Sequence, residues 1–179
     1  MIRDIFHDIY ALDLSTVIII MIASIILWSG LGAIIKKRMK LICSILAAIS
    51  IIAILYNTVF SRSGTDVETN FVPFSSFERA VANSEIYRSM LMNVFLFLPL
   101  GLALPFVIKG RATKKILVSA LIGFMLSVTI ETIQLFYSLG MVETDDVICN
   151  TLGILIGCSA YPLSLLWIKQ INRYHSNNT

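Results

Sequence analysis

The chain has 179 residues, 57% of them hydrophobic and only 14% charged, with a formal net charge of +3. Its mean hydropathy is +0.84, whereas a soluble domain is about half apolar and a quarter charged. A water-soluble globule is excluded.

Five charge-poor stretches follow one another: Leu14 to Ile35, Leu41 to Phe60, Ser89 to Ile108, Ile116 to Tyr137 and Val147 to Ile168. About 20 apolar residues in a helix cross the roughly 30 Å of bilayer hydrocarbon. The fourth stretch carries Glu131, and the others carry no charge. The expected fold is therefore all-α: an integral membrane bundle of five transmembrane helices forming one domain over 14–168, with tails 1–13 and 169–179. Its partner is the lipid bilayer and its expected place the cell membrane.

The first thirteen residues set Asp4, Asp8 and Asp13 against Arg3. They lack the basic start of a secretory signal, and the apolar run behind them is too long for one, so it reads as a retained helix. Lys36 to Lys40, Lys109 to Lys115 and the tail after Ile168 hold basic residues and no acids. Every acid except Glu131 falls in the alternate segments. The positive-inside rule then gives an N-out, C-in topology. The positive charge is topogenic, so nucleic acid is not expected as a partner.

Cys43, Cys149 and Cys158 fall within expected helices at spacings unlike a zinc framework and read as packed thiols. His7 and His175 fall on opposite sides of the membrane. Neither a metal site nor a cofactor is expected.

Between the second and third spans, Ser61 to Arg88 is too small to form its own core. Phe71 to Phe74 make an apolar knot, and Ser75 with Glu78 three residues on has capping-box spacing. Phe77, Ala80, Val81, Ser84 and Tyr87 give a weakly amphipathic face. A short outer interfacial helix, or an ordered loop with aromatics at headgroup depth, accounts for this segment. Pro99, Pro105 and Pro162 are places where helices can kink.

The strongly polar groups inside the spans share one depth. Asn57, Asn93, Glu131, Gln134 and Asn150 all lie within roughly 10 Å of the outer boundary at 1.5 Å per helical residue. Ser119, Gly123, Ser127, Glu131, Gln134 and Ser138 form one stripe, and Asp146, Asn150, Gly153 and Gly157 another. These two faces are expected to meet. Asp145 or Asp146 can cap the fifth helix, and the amides can serve as interhelical glue. The alternative is a pocket with candidate ligand-binding residues Arg62, Asn93, Glu131, Gln134, Asp145, Asp146 and Asn150. Arg62 would then be the counter-ion of the acids. If a reaction occurs there, Glu131 and Asp146 are the candidate catalytic bases.

"NVFLFLPLG" with Asn93, Phe97, Pro99 and Gly101, "IETIQ" with Ile130, Glu131 and Gln134, and "ETDDVICNTLG" with Asp146, Asn150 and Gly153 resemble the VanZ-like family of membrane proteins. "YNTVFSRSGT" and "NFVPF" resemble its upstream elements, so the likeness covers about 56–161. Glu143 stands where family members often carry Asp in an Asp-x-Asp-Asp pattern. The resemblance implies a link to low-level resistance to the glycopeptide teicoplanin in Gram-positive bacteria. It supplies no catalytic residues.

The first functional expectation is a non-enzymatic protein whose outer-leaflet cleft binds an amphiphile. Candidates are a lipid-linked wall precursor or the lipoglycopeptide itself, with the headgroup at Arg62, Asn93, Glu131 and Asp145. The alternative is a membrane enzyme acting on a lipid or isoprenoid-linked substrate through Glu131 or Asp146. No nucleophile motif or phosphate loop accompanies the second reading.

Overall fold

A computed structural model describes residues 13–62 and 69–177, apart from the side chains of Lys36 and Lys37. The N-terminal segment with Asp4, His7 and Asp8, and the Ser63 to Thr65 part of the "YNTVFSRSGT" element, lie outside the described residues. Helix α1 runs over Leu14–Ile34. Asp13 caps it, accepting from the Ser15 amide at 3.2 Å and from the Ser15 hydroxyl. These bonds, the hydroxyl's first, hold the Asp13 carboxyl below its usual range.

Helix α2 (Lys36–Leu55) begins after Ile35 alone. The basic stretch expected as a loop is therefore the first turn of a helix. Lys and Arg favour helix, and their long stems carry charge to a polar boundary without a loop. At its far end α2 widens into a π-helical turn over Tyr56–Phe60. Next come a two-residue strand β1 (Thr69–Asn70), the short helix α3 (Ser75–Ala80) and the long helix α4 (Ser84–Val107). The face expected to run from Phe77 to Tyr87 is split by a turn after Ala80, and Asn83 caps α4 by accepting from the Glu85 amide at 2.9 Å. Pro99 and Pro105 lie inside α4 without ending it.

Helix α5 (Ala112–Tyr137) leads to β2 (Val142–Glu143), α6 (Thr144–Cys158) and α7 (Ala160–Asn177). Pro162 falls in the first turn of α7, where no backbone N–H is required, so it follows the break at Ser159 at little cost.

Five helices are long and apolar enough to cross a membrane: Leu14–Ile34, Arg38–Phe60, Ser84–Val107, Ala112–Tyr137 and Thr144–Asn177. The last joins α6 to α7 over 34 residues. That is about 51 Å of helix, more than the hydrocarbon requires. Ile19, Leu27, Leu41 and Ile52 are 64 to 68% exposed, the outward apolar face that lipid covers.

Helix α4 is the hub, packed on α6, α2 and α5. Phe97, Leu100, Ala103 and Leu104 meet Met39, Cys43, Ala47 and Ile54 of α2 together with Ile130 and Ile154. Leu98 and Leu102 join Val17, Met21 and Ala160. Two glycines set the α4–α6 distance. A Cβ at Gly153 would collide with the Val94 carbonyl oxygen, and one at Gly157 with that of Leu98. The glycine face of α6 thus meets α4, not the polar stripe of α5 as expected. The polar half of that face does meet the α5 stripe, through Asn150 on Ser127, and Ile154 packs on Gly123, so the expectation holds for Asn150 and not for the two glycines.

Candidate functional site

The polar groups gather at the end of the bundle where α2 finishes and α6 begins. The strands there are parallel, with Thr69 opposite Val142 and Asn70 opposite Glu143. This pairing brings the loop before α3 against the start of α6. The Glu143 Oε1 accepts from Arg79 Nη2 at 2.8 Å, Ser76 Oγ at 3.2 Å and Asn70 Nδ2 at 3.4 Å. Arg79 and Glu143 are an ion pair with side chains 45% and 15% exposed.

Asp145 is fully committed. Its two carboxylate oxygens accept the backbone amides of Phe74 at 2.6 Å and Ser76 at 2.7 Å. It thus satisfies the orphan donors of α3 across 71 residues of chain. The expected capping box does not form: Phe74, at φ 66°, precedes α3, and the Ser75 hydroxyl accepts from Asn70 instead. Nor does Asp145 or Asp146 cap α6, which starts after Glu143 with no side-chain cap bond. A carboxylate from another element supplies a stronger pair of acceptors than the local Ser hydroxyl.

Glu131 is 8% exposed, and its Oε2 accepts the Glu143 amide at 3.2 Å. Asp146 accepts from Asn93 Nδ2 at 2.7 Å, which joins α6 to α4. Gln134 donates to the Thr58 carbonyl at 2.8 Å and so braces the π-helical turn of α2 against α5. Asn150 donates to Ser127 at 2.8 Å. The Asn57 side chain donates back to the Ala53 carbonyl of its own helix at 2.8 Å. Arg62 is exposed and close enough for its charge to act on Glu131 and Asp146, but it makes no ion pair with any of the three acids. Among the described residues no three His, Cys, Asp or Glu side chains group as metal ligands.

Two cavities adjoin at this end. A polar cleft of about 340 Å³ is lined by Arg79, Asn83, Glu85, Ser89, Glu143 and Asp146, with Ile86, Met90 and Met141. An apolar groove of about 400 Å³ runs under α3 between α4 and α6, lined by Phe77, Val81, Tyr87, Leu91, Val94 and Leu152 among others. Met90 lines both. From Asp146 in the cleft to Leu152 in the groove is six residues of α6, about 9 Å down the helix. The side chains that split the amphipathic face of the sequence, Phe77, Val81 and Tyr87, are reunited here across a turn.

The polar depth found in the sequence thus resolves into three jobs. Asp145 and Gln134 hold backbone, Asn150 holds Ser127, and Asp146, bonded by Asn93, faces a cleft. Sequence reasoning missed Arg79 and Glu143 as partners. Arg79 is one of three cations in the segment before the third span, with Arg62 and Arg88, and Glu143 one of three acids before the fifth, with Asp145 and Asp146, and the two are joined by a pairing that no local pattern encodes.

Residues 41–167 match the family model described as VanZ/LLP1. The chain is 36% identical over 97 residues to "Protein VanZ" of Enterococcus faecium, a match that spans 53% of this chain and 53% of that protein, about half its length. No solved structure matches. With a family model covering most of the chain and helices suited to cross a bilayer, the protein belongs to the VanZ family of membrane proteins.

Proposed function

We propose that this protein binds an amphiphile from the outer leaflet, a lipid-linked wall component or a lipoglycopeptide, and thereby contributes to resistance to glycopeptides such as teicoplanin. The observation that carries the reading is the adjacency at Met90, which lines both a charged cleft and an apolar groove of similar size. An amphiphile presents those two surfaces in that order, with its headgroup at the water boundary and its chain about 9 Å deeper along α6. Basic residues at the opposite end, among them Lys109, Arg111, Lys114 and Lys115, support placing the cleft on the outer side. The relative's name, "Protein VanZ", supports the resistance link.

The groove can be filled without touching the polar network. Leu152 is 39% exposed and lines it. In a teicoplanin-sensitive Gram-positive host, the wild-type chain is expected to raise the inhibitory concentration and Leu152→Trp to return it to the empty-vector value at equal protein level. Full resistance with the groove blocked would overturn the reading.

A further inference from the structure

Resting on the amphiphile reading, we propose that the headgroup received by the cleft carries an ammonium group rather than a phosphate. The charged lining consists of Arg79, Glu85, Glu143 and Asp146. Arg79 is held by Glu143 at 2.8 Å. Glu85 and Asp146 therefore have no basic partner within the lining. Asn93 gives Asp146 a hydrogen bond but no charge. Arg62, the further cation whose field reaches Asp146, is exposed to solvent.

A phosphate entering this space would meet the Glu85 and Asp146 carboxylates and would have to share Arg79, the one cation of the lining, with Glu143. An ammonium has three donors and no acceptor, which suits carboxylates and the Ser89 and Asn83 oxygens alike. The groove then takes the chain attached to it, against Phe77, Val81, Leu91, Val94 and Leu152. Charge complementarity at the mouth thus selects which amphiphile the apolar part retains.

The test compares three probes with one C16 chain: hexadecylamine, hexadecanol and hexadecyl phosphate. Each is titrated into the purified full-length protein in a neutral maltoside detergent at pH 7, with thermal unfolding as the readout. The amine is expected to stabilise at about tenfold lower concentration than the alcohol, and the phosphate to be weaker than both. Glu85→Gln with Asp146→Asn should bring the amine to the level of the alcohol. The exposed Glu85→Gln alone, which folds regardless of the interior, should cost the amine a few-fold. A phosphate equal to or better than the amine, or an amine no better than the alcohol, overturns the ammonium assignment. In that case the amphiphile reading stands, provided Leu152→Trp abolishes all three responses. If no probe shifts the transition, or Leu152→Trp leaves the shifts intact, the amphiphile reading fails and the ammonium assignment with it.

Discussion

The Asp145 carboxylate on α6 accepts the Ser76 amide at 2.7 Å, 69 residues earlier in the chain, and so caps the N-terminus of α3. Asp145 is 1% and Ser76 0% exposed, so water replaces neither partner when one is lost. Each buried amide left without an acceptor costs about 1–3 kcal/mol. Asp145→Ala is therefore expected to lower stability by about 2–4 kcal/mol, and Asp145→Asn, which keeps one oxygen, by less. Thermal unfolding of purified protein measures both, and equal Tm values for Ala and wild type would contradict the cap.

The surface pair behaves differently. Arg79→Ala and Glu143→Gln, with their double variant, form a cycle whose coupling should not exceed about 1 kcal/mol, because the Arg side chain is largely exposed. The single Glu143→Gln variant keeps an acceptor for Ser76 and Asn70 and should fold normally.

Helix spacing gives a paired prediction. Gly153→Ala forces a methyl onto the Val94 carbonyl and is expected to cost about 1–3 kcal/mol. Gly30→Ala has nothing within 4 Å of the added carbon and should leave Tm unchanged or raise it slightly. The contrast between the two, on one protein, isolates backbone approach from helix propensity.

Topology is open to a labelling experiment. Val81 is 92% exposed at the polar end, while Lys109 is exposed at the basic end. In intact cells, Val81→Cys should react with a membrane-impermeant maleimide and Lys109→Cys only after permeabilisation. The native Cys43, Cys149 and Cys158 are buried and should contribute no background. The reverse pattern would invert the protein in the bilayer and move the cleft to the cytoplasm.

Glu131→Gln separates binding from catalysis. The amide still offers an oxygen to the Glu143 backbone N–H, so a binding protein should keep most of its resistance phenotype. Loss of the phenotype at normal protein level would instead point to proton transfer by Glu131.

The five spans were legible because hydropathy over 20 residues is a local property, and so was the depth of the polar groups. Partner choice was not. Depth fixes height along a helix but not rotation about it, and so Gly153 and Gly157 were assigned to α5 although they rest on Val94 and Leu98 of α4. Ser75 and Glu78 had the right spacing for a local cap, yet the donors of α3 went to Asp145 because the β1–β2 pairing brings that carboxylate over them. The joint at Ile35 was hidden for the opposite reason: a basic run marks a boundary equally well as loop or as helix.

The family match begins at residue 41 and stops at 167, leaving α1 and the last turns of α7 outside it. Helix α1 nevertheless packs chiefly along α7, with Gly32 against Ser164 and Phe106, while Ile26 and Leu31 flank a shared furrow with Trp167 and Ile171. Helices α1 and α7 therefore lean on each other like bookends beside the part of the chain that the family match covers. Trimming the chain to the matched residues would take α1 away and leave the α7 flank at Ser164 and Trp167 to be covered by lipid instead.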